Sequence, residues 1–588
     1  MPDSIASEAF LGVTTSLTGR RWVGPDAGAV RLAEAMEQIT GLPDALCRVL
    51  VARGVAPEEA ERFLAPALRD LLPDPMGLRD MEPAAERLIR AVERRERVAV
   101  FADYDVDGGA SAALVIDWLR QQGIGATLYV PDRIDEGYGP NPPAMRELAS
   151  NHDLIVCVDC GTLSFEAIAA ATGADVVILD HHLGGETLPA ALAVVNPNRQ
   201  DESGDLGHLC AAAVVFLVLV EANRRMKAAG RTGPDLLAML DLVALATVAD
   251  VAPLTGVNRA LVRQGLKIMA GRRRPGLAAL ADVAGLDAPP SAYHLGYVLG
   301  PRVNAGGRVG RADLGARCLS STDPQEARAM AERLDQLNTE RREIENAVRD
   351  AALAQAEARG LEGPLVWAAG EGWHPGVVGI VAARLKEATG RPAVVIGLDG
   401  DEGKGSARSV KGVDLGHAVQ RIAAEGLLIK GGGHRMAAGL TVARDRIDAA
   451  MERLGELLAK EGAGAGGPRD HRIDALLMPG AATVELIEQI EAAGPFGQSA
   501  PAPRFAFPDV QVLHAREVGS GHLKLTFGDG LGARLDAIAF GAFDGPMGPE
   551  LAGHGGRRFH LAGRLEINHW GGRRTVQLRL DDAAPASE

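Results

Sequence analysis

At 588 residues, 47% of them hydrophobic and 24% charged, the chain is too long for a single core and is expected to form roughly three or four domains. Its formal net charge of −15 excludes a protein that coats nucleic acid by overall basicity, so any polyanionic ligand needs a local basic groove. Five cysteines, and a stretch from Met1 to Arg21 without the apolar centre of a secretory signal, predict free thiols in a cytoplasmic protein rather than a disulfide scaffold.

Residues 1–90 read as an N-terminal region of polar helices and turns, as in "PEEAERFLAPALRDLL". Over 91–323, short apolar runs alternate with helical patterns, which predicts an α/β domain with a parallel, doubly wound sheet. The expected strands are Val98–Ala102, Leu128–Pro131, Leu154–Val158, Val176–Leu179 and Leu192–Val195, with helices over Ser111–Gln122 and Pro143–Ser150. The apolar run Ala211–Val220 is too short to span a bilayer and reads as a buried helix, so no membrane partner is expected. Cys157 and Cys160 form a CxxC inside an apolar strand, where packing is the expected role, and Arg272, Arg273 and Arg274 read as a solvated turn.

Residues 324–360 are highly charged and free of helix breakers, and are expected to form one long connector helix. A second, smaller α/β lobe is expected over 361–462, with strands at Leu365–Ala368 and Ala393–Ile396, followed by the linker "EGAGAGGPRD". Residues 463–588 contain "HLKLTF", "LDAIAF", "FHLAGRLEI" and "RTVQLRL", with a Gly571-Gly572 hairpin turn. Such short strands suit a small barrel, with an oligonucleotide-binding (OB) fold the leading candidate.

Asp103, Asp105 and Asp107 alternate before Gly108, like the front half of an EF-hand loop. That reading fails, because position 12 counted from Asp103 is Leu114 and the lead-in Arg97–Phe101 is strand-like. In an open parallel sheet, ligands bind beyond the carboxyl ends of the strands. Five expected strand ends run into Asp103, Asp132-Arg133, Asp159, Asp180-His181-His182 and Asn196-Pro-Asn198, and another apolar run ends at Asp250. Singly, an Asp after a strand is a turn or a helix N-cap. Crowded on one edge, the carboxylates repel unless cations neutralise them. Carboxylates mixed with imidazole favour Mn2+ or Mg2+ over structural zinc. Two such ions, bridged by a shared Asp, would activate water and clamp an in-line displacement at phosphorus.

Asp103-Tyr-Asp105-Val-Asp107-Gly108, Val158-Asp159, Asp180-His181-His182 and Ala249-Asp250 resemble the four motifs of the DHH phosphoesterase superfamily. "GPRVNAGGRVG", "WHPGVVGIVAARL", "GSARS" and "GGGHRMAAG" are similar to motifs of its RecJ branch, the single-strand-specific 5′→3′ DNA exonucleases. The resemblance covers roughly residues 90–440 and implies a DHH domain, a DHHA1-like second lobe and an OB-fold. Carried over, it implies that Asp105 and Asp159, supported by Asp103, hold one ion. Asp107, Asp159, His181 and Asp250 would hold the other, and His182 would face the scissile phosphate. Phe101 stands where many superfamily members have a His ligand, so the first ion should be weaker or completed by water. The implied activity is degradation of single-stranded DNA to mononucleotides in DNA repair and recombination, with a helicase and a single-strand-binding protein as candidate partners.

In the second lobe, Lys404, Ser406, Arg408 and Lys411 fall in a Gly-interrupted segment that reads as a phosphate-binding loop. His434 and Arg435 follow three glycines that permit close approach. Arg302, Asn304 and Arg308 are spaced to reach phosphates. The resemblance implies that Ser406 and Arg408, with Arg133, recognise a 5′ end. Phe527, Phe540 and Trp570 are open between base stacking and barrel core. Two other readings stay open: a phosphodiesterase of the same superfamily acting on a cyclic dinucleotide or short oligonucleotide, and a non-catalytic DNA-binding relative.

Overall fold

A computed structural model describes residues 9–133, 135–464, 469–570 and 573–586, which form two compact units. The first comprises Pro73–Ala252 and Gln264–Gly466. Its first sheet has five parallel strands in the spatial order Ala126–Tyr129, Val98–Ala102, Leu154–Val158, Asp175–Leu179 and Ala193–Val195. Val98–Ala102 and Leu154–Val158 are buried along their whole length, which is why they read as unbroken apolar runs rather than as alternating patterns.

The register of this sheet brings its strand ends level. Ala102 pairs with Val158, Val158 with Leu179, and Leu179 with Val195. The next residues along the four strands are Asp103, Asp159, Asp180 and Asn196, so all four leave the sheet on one edge. Buried helices Val106–Gln121, Ala211–Ala228 and Leu240–Ala249 complete this lobe. Ala211–Val220 is thus part of a buried helix, and no helix of the described residues is long and apolar enough to cross a membrane. Cys157 and Cys160 are buried free thiols within the core.

Pro324–Arg359 is one 36-residue helix, capped by the Asp323 carboxylate, which accepts from the amides of Gln325 and Glu326. Its buried side chains recur at helical spacing, from Ala327, Ala331 and Leu334 to Val348, Ala352 and Ala356. The second lobe is a five-stranded sheet in the order Lys430–His434, Ala437–Ala443, Glu402–Arg408, Ala393–Asp399 and Val366–Glu371. Only the last pair is parallel. The segment expected as a Gly-interrupted loop is therefore the central strand Glu402–Arg408, hydrogen-bonded on both sides. Its glycines serve packing: a Cβ on Gly403 would meet Ile396 at 2.6 Å, and one on Gly405 would meet Leu440 at 2.8 Å.

The second unit comprises residues up to Leu72, Pro253–Arg263 and the chain from Gly467. Strands Phe505–Val518, His522–Gly528, Arg534–Ala539, Arg573–Pro585 and Arg558–Trp570 lie side by side in that order, and the first pairs again with the last, closing a barrel. Register shifts near Val510 and Val512 bend the long first strand so that it pairs on both sides. Phe505, Phe507, Phe527 and Phe559 fill the interior. Residues 1–90 do not stand as one region: Asp44–Val51 shares the barrel core, whereas Met81–Arg94 packs on Ala193–Val195 and Ala211–Ala228 in the other unit. Arg20–Val23 pairs in parallel with Arg469–Arg472, and Trp22 donates its indole N–H to the buried Asp582 at 2.8 Å. The Gly571-Gly572 turn lies outside the described residues.

Candidate metal centre

Strand ends, the start of one helix and the end of another place seven candidate ligands together. Asp105 is the N-cap of Val106–Gln121, accepting from the amides of Asp107 at 2.8 Å and Gly108 at 3.1 Å. The N-terminal amide of that helix, Val106 N–H, donates to Asn304 Oδ1 at 3.1 Å. Gly108 is required by close approach, since a Cβ there would lie 2.4 Å from the Asp103 carbonyl oxygen. Asp107 is buried and accepts from Ala211 N–H at 2.7 Å and Ala212 N–H at 2.8 Å, so it sits at the positive end of a second helix. Asp159 takes a left-handed φ of 59° and Val251, which comes directly after Asp250, one of 60°. For β-branched Val251 that backbone costs about 1–3 kcal/mol, and such strain clusters at functional sites.

His181 Nε2 stands 3.3 Å from Asp159, 3.6 Å from Asp107 and 3.9 Å from Asp250. Three sets each bring their ligand atoms within 4.8 Å of one another: Asp103, Asp105 and Asp159; Asp107, His181 and Asp250; and Asp159, His181 and His182. Asp159 joins the first to the third, and His181 the third to the second. The fully buried Phe101 stacks on Tyr129 at 5.2 Å and adds no donor, so the first set is carboxylate only.

Electrostatics test whether cations fit here. Burial, then the neighbouring carboxylates, pushes Asp103 and Asp159 well above the usual carboxylate range. Burial, then Asp107, pushes Asp250 up to about 9. Asp103 Oδ1 and Asp159 Oδ1 are buried without a hydrogen-bond partner. Buried carboxylate oxygens without partners are costly unless protonated or bound to a cation. Hard oxygens with one or two imidazoles suit Mn2+ or Mg2+, so the residues fit a pair of divalent cations.

The Asp of the Asp-His-His triplet has a different part. Asp180 accepts from Thr162 Oγ1 at 2.6 Å, from the amides of Thr162, His181 and His182, and from His182 Nδ1 at 2.8 Å. Burial opposes its charge, but these hydrogen bonds prevail and hold it below the usual range. It fixes the His182 ring, while Asn198 Nδ2 donates to the His181 carbonyl at 2.6 Å. Tyr138 donates to the Asp159 carbonyl at 3.0 Å and lies 3.2 Å from the His182 ring nitrogens. Sequence reasoning noted Asp180, Asn196 and Asn198 only as strand-end residues and missed Tyr138, which no periodic pattern marks.

A basic set adjoins the carboxylates. Arg133 lies over the Tyr104 ring at 5.1 Å and opposes the protonation of Asp103. Burial, then Arg133, lowers both Arg308, to about 10, and Arg408. The three cations therefore share one field. Arg408 donates to Ser406 Oγ at 2.9 Å, and a Cβ on Gly379 would crowd both side chains at 3.1 Å. Arg308 donates to the Gly376 carbonyl at 3.1 Å.

Family models match three parts of the chain: "DHH family, N-terminal domain" over residues 97–247, "DHHA1 domain" over 362–460 and "RecJ OB domain" over 473–582. The Single-stranded-DNA-specific exonuclease RecJ of Escherichia coli is 37% identical, over 92% of this chain and 96% of that protein. The chain belongs to the RecJ family. RecJ of Bacillus subtilis is 32% identical over 95% of this chain and 70% of its own length. The crystal structure of RecJ in complex with Mn2+ from Thermus thermophilus superposes with a TM-score of 0.78 at 28% identity, over 96% of this chain and 79% of that one. A crystal structure of exonuclease RecJ bound to manganese superposes at 0.57 with 33% identity, over 67% of this chain and 97% of that one.

In this chain Arg302, Asn304, Arg274 and Phe527 have partners other than those expected. Arg302 pairs with Asp335 at 2.8 Å and donates to the Val298 carbonyl, so it is turned to the connector helix and does not join the basic set. Asn304 is spent on the Val106 amide, where it positions the helix bearing Asp107. His434 is exposed at a strand end. Arg274 is no freely solvated residue: its side chain is only 11% exposed and pairs with both Asp117 and Asp241. Phe527 is buried against Phe507 and belongs to the barrel core, whereas Phe540 is 57% exposed beneath Arg579. The side chain of Trp570 lies outside the described residues.

Proposed function

We propose that this chain is a metal-dependent exonuclease that degrades single-stranded DNA from the 5′ end to mononucleotides, in DNA repair and recombination. The observation that carries this reading is the meeting of the three linked ligand sets with Arg133, whose charge acts on Asp103, Arg308 and Arg408. The relatives named single-stranded-DNA-specific exonuclease support the substrate.

In this reading Asp103, Asp105 and Asp159 hold one Mn2+ or Mg2+ ion, and Asp107, Asp159, His181 and Asp250 hold the other. When bound, such ions polarise the phosphodiester and activate water. Asp107 is kept in place by two helix amides and Asp105 by its own helix, so the carboxylates need not reorganise. Burial disfavours a charged His182, but the Asp180 hydrogen bond outweighs it and pushes His182 up to about 9. With its ring held by Asp180, His182 faces the scissile phosphate as a hydrogen-bonding group. Arg408, Ser406 and Arg133 receive the terminal 5′ phosphate, which makes the enzyme count from an end.

The domain layout is then a DHH domain over 91–323, the connector over 324–360, a DHHA1-like domain over 361–462 and an OB-fold over 463–588. A helicase that supplies single strands and a single-strand-binding protein are the partner classes this activity calls for. The test is cleavage of end-labelled single and double strands with Mn2+, Mg2+ or chelator. The expected result is mononucleotide release from 5′-phosphorylated single strands only with metal. Faster cleavage of a dinucleotide than of a long strand would overturn it in favour of a small-substrate phosphodiesterase.

A further inference from the structure

His294–Leu299 is a single π-helical turn, a geometry rare in proteins and frequent at functional sites. Leu295 and Leu299, four residues apart, are fully buried and fasten its inner face. Two glycines let its backbone settle on the helix Leu240–Ala249. A Cβ on Gly296 would stand 3.3 Å from Val248 Cγ1, and one on Gly300 would stand 3.2 Å from Ala249 Cβ. The next residue after Ala249 is Asp250 of the candidate metal centre. The π-turn is thus built onto the last turn of the helix that presents a candidate ligand.

The opposite face carries Tyr293 and Tyr297, also four residues apart, 59% and 73% exposed. Their rings stack on each other at 5.2 Å with 26° between planes, and His294 meets Tyr293 edge-on at 5.9 Å. In a chain with only 4% aromatic residues, two stacked rings left in water run against the tendency to bury such area. Stacked aromatic faces in solvent match the chemistry of an unpaired nucleobase, which extends the stack without base-specific hydrogen bonds.

We propose that Tyr293 and Tyr297 form a stacking platform for unpaired bases of the strand cleaved at the neighbouring centre. This rests on the single-stranded DNA substrate argued above and adds a reason for strand selection: a base held in a duplex has no free face to offer.

Binding in chelator is the test, by fluorescence anisotropy of a 5′-phosphorylated single strand and of an equally long deoxyribose-phosphate chain without bases. The variants are Tyr293→Ala/Tyr297→Ala together and Tyr297→Phe alone. Both side chains are largely exposed, so folding is preserved. The double alanine variant should bind the base-bearing strand on the order of tenfold more weakly. Its affinity for the baseless chain should be unchanged, and Tyr297→Phe should bind both like the wild type. Quenching of 2-aminopurine in the bound strand should be lost with the double variant alone. Equal losses on both chains, or none on either, would overturn the platform. If the wild-type protein neither binds nor cleaves single strands, the functional reading fails first and takes the platform with it.

Discussion

Asp159 Oδ1 stands 3.3 Å from His181 Nε2, buried and without a hydrogen bond. The same carboxylate faces Asp103 and Asp105 on its other side. An unpartnered buried oxygen is what the proposed cation-binding role of Asp159 requires. Asp159→Ala should reduce turnover on single-stranded DNA on the order of a thousandfold or more. It should leave cooperative thermal unfolding intact, since removing one carboxylate relieves repulsion among the rest. Loss of a cooperative melt in that variant would instead mark Asp159 as structural.

Asp250, raised to about 9, and Asp103 and Asp159, also raised, predict an unusual pH dependence of the metal-free protein. Between the unfolded carboxyl value, about 4, and the folded values, the native state binds more protons than the unfolded state. Stability of the metal-free protein should then be greatest at the acidic end and fall as pH rises toward about 9. Protons and cations compete for the same oxygens, so Mn2+ should stabilise most at high pH. Melting temperatures from pH 5 to 9, with chelator and with Mn2+, check this; a metal-free profile that rises throughout would refute it.

Arg408 and Ser406 are joined at 2.9 Å on one strand of the second lobe. A charged hydrogen bond to phosphate contributes about 1.5–3 kcal/mol. Arg408→Ala should accordingly raise KM for a 5′-phosphorylated strand about 10- to 100-fold, with a smaller effect on kcat. Substrates ending in a 5′ hydroxyl should hardly change. Equal effects on both ends would sink the assignment.

Arg274 supplies the cation between buried Asp117 and Asp241. Removing it leaves buried Asp241 without its cation, while Asp117 keeps Arg120 at 2.8 Å, at a cost of about 3–5 kcal/mol. Arg274→Ala should lower the urea midpoint accordingly, with the specific activity of the folded fraction unchanged. An unaltered midpoint would show that the carboxylates find other partners.

Much of the centre was legible because its ligands sit at the ends of apolar runs. Val98–Ala102 and Leu154–Val158 declare themselves as strands buried on both faces, and parallel pairing then carries Asp103 and Asp159 to a common edge. Side-chain direction was not legible. Arg302 and Arg308 lie six residues apart on one helix, yet Arg302 faces Asp335 while Arg308 reaches Gly376. Arg274 looked like part of a solvated triplet because its carboxylate partners are 157 and 33 residues away. Glu402–Arg408 lacks strand-forming residues of its own and is a strand through its two neighbours.

The amino-acid order alone determined the buried strands, the helix starts and the spacing of acids and imidazoles, because each depends on contacts within a few residues. Tertiary structure alone decided which arginines face the acids, that Asp180 holds His182 rather than joining the ligand sets, and that Trp22 closes on Asp582 across 560 residues. Those outcomes depend on pairing between distant segments, for which no local propensity carries information.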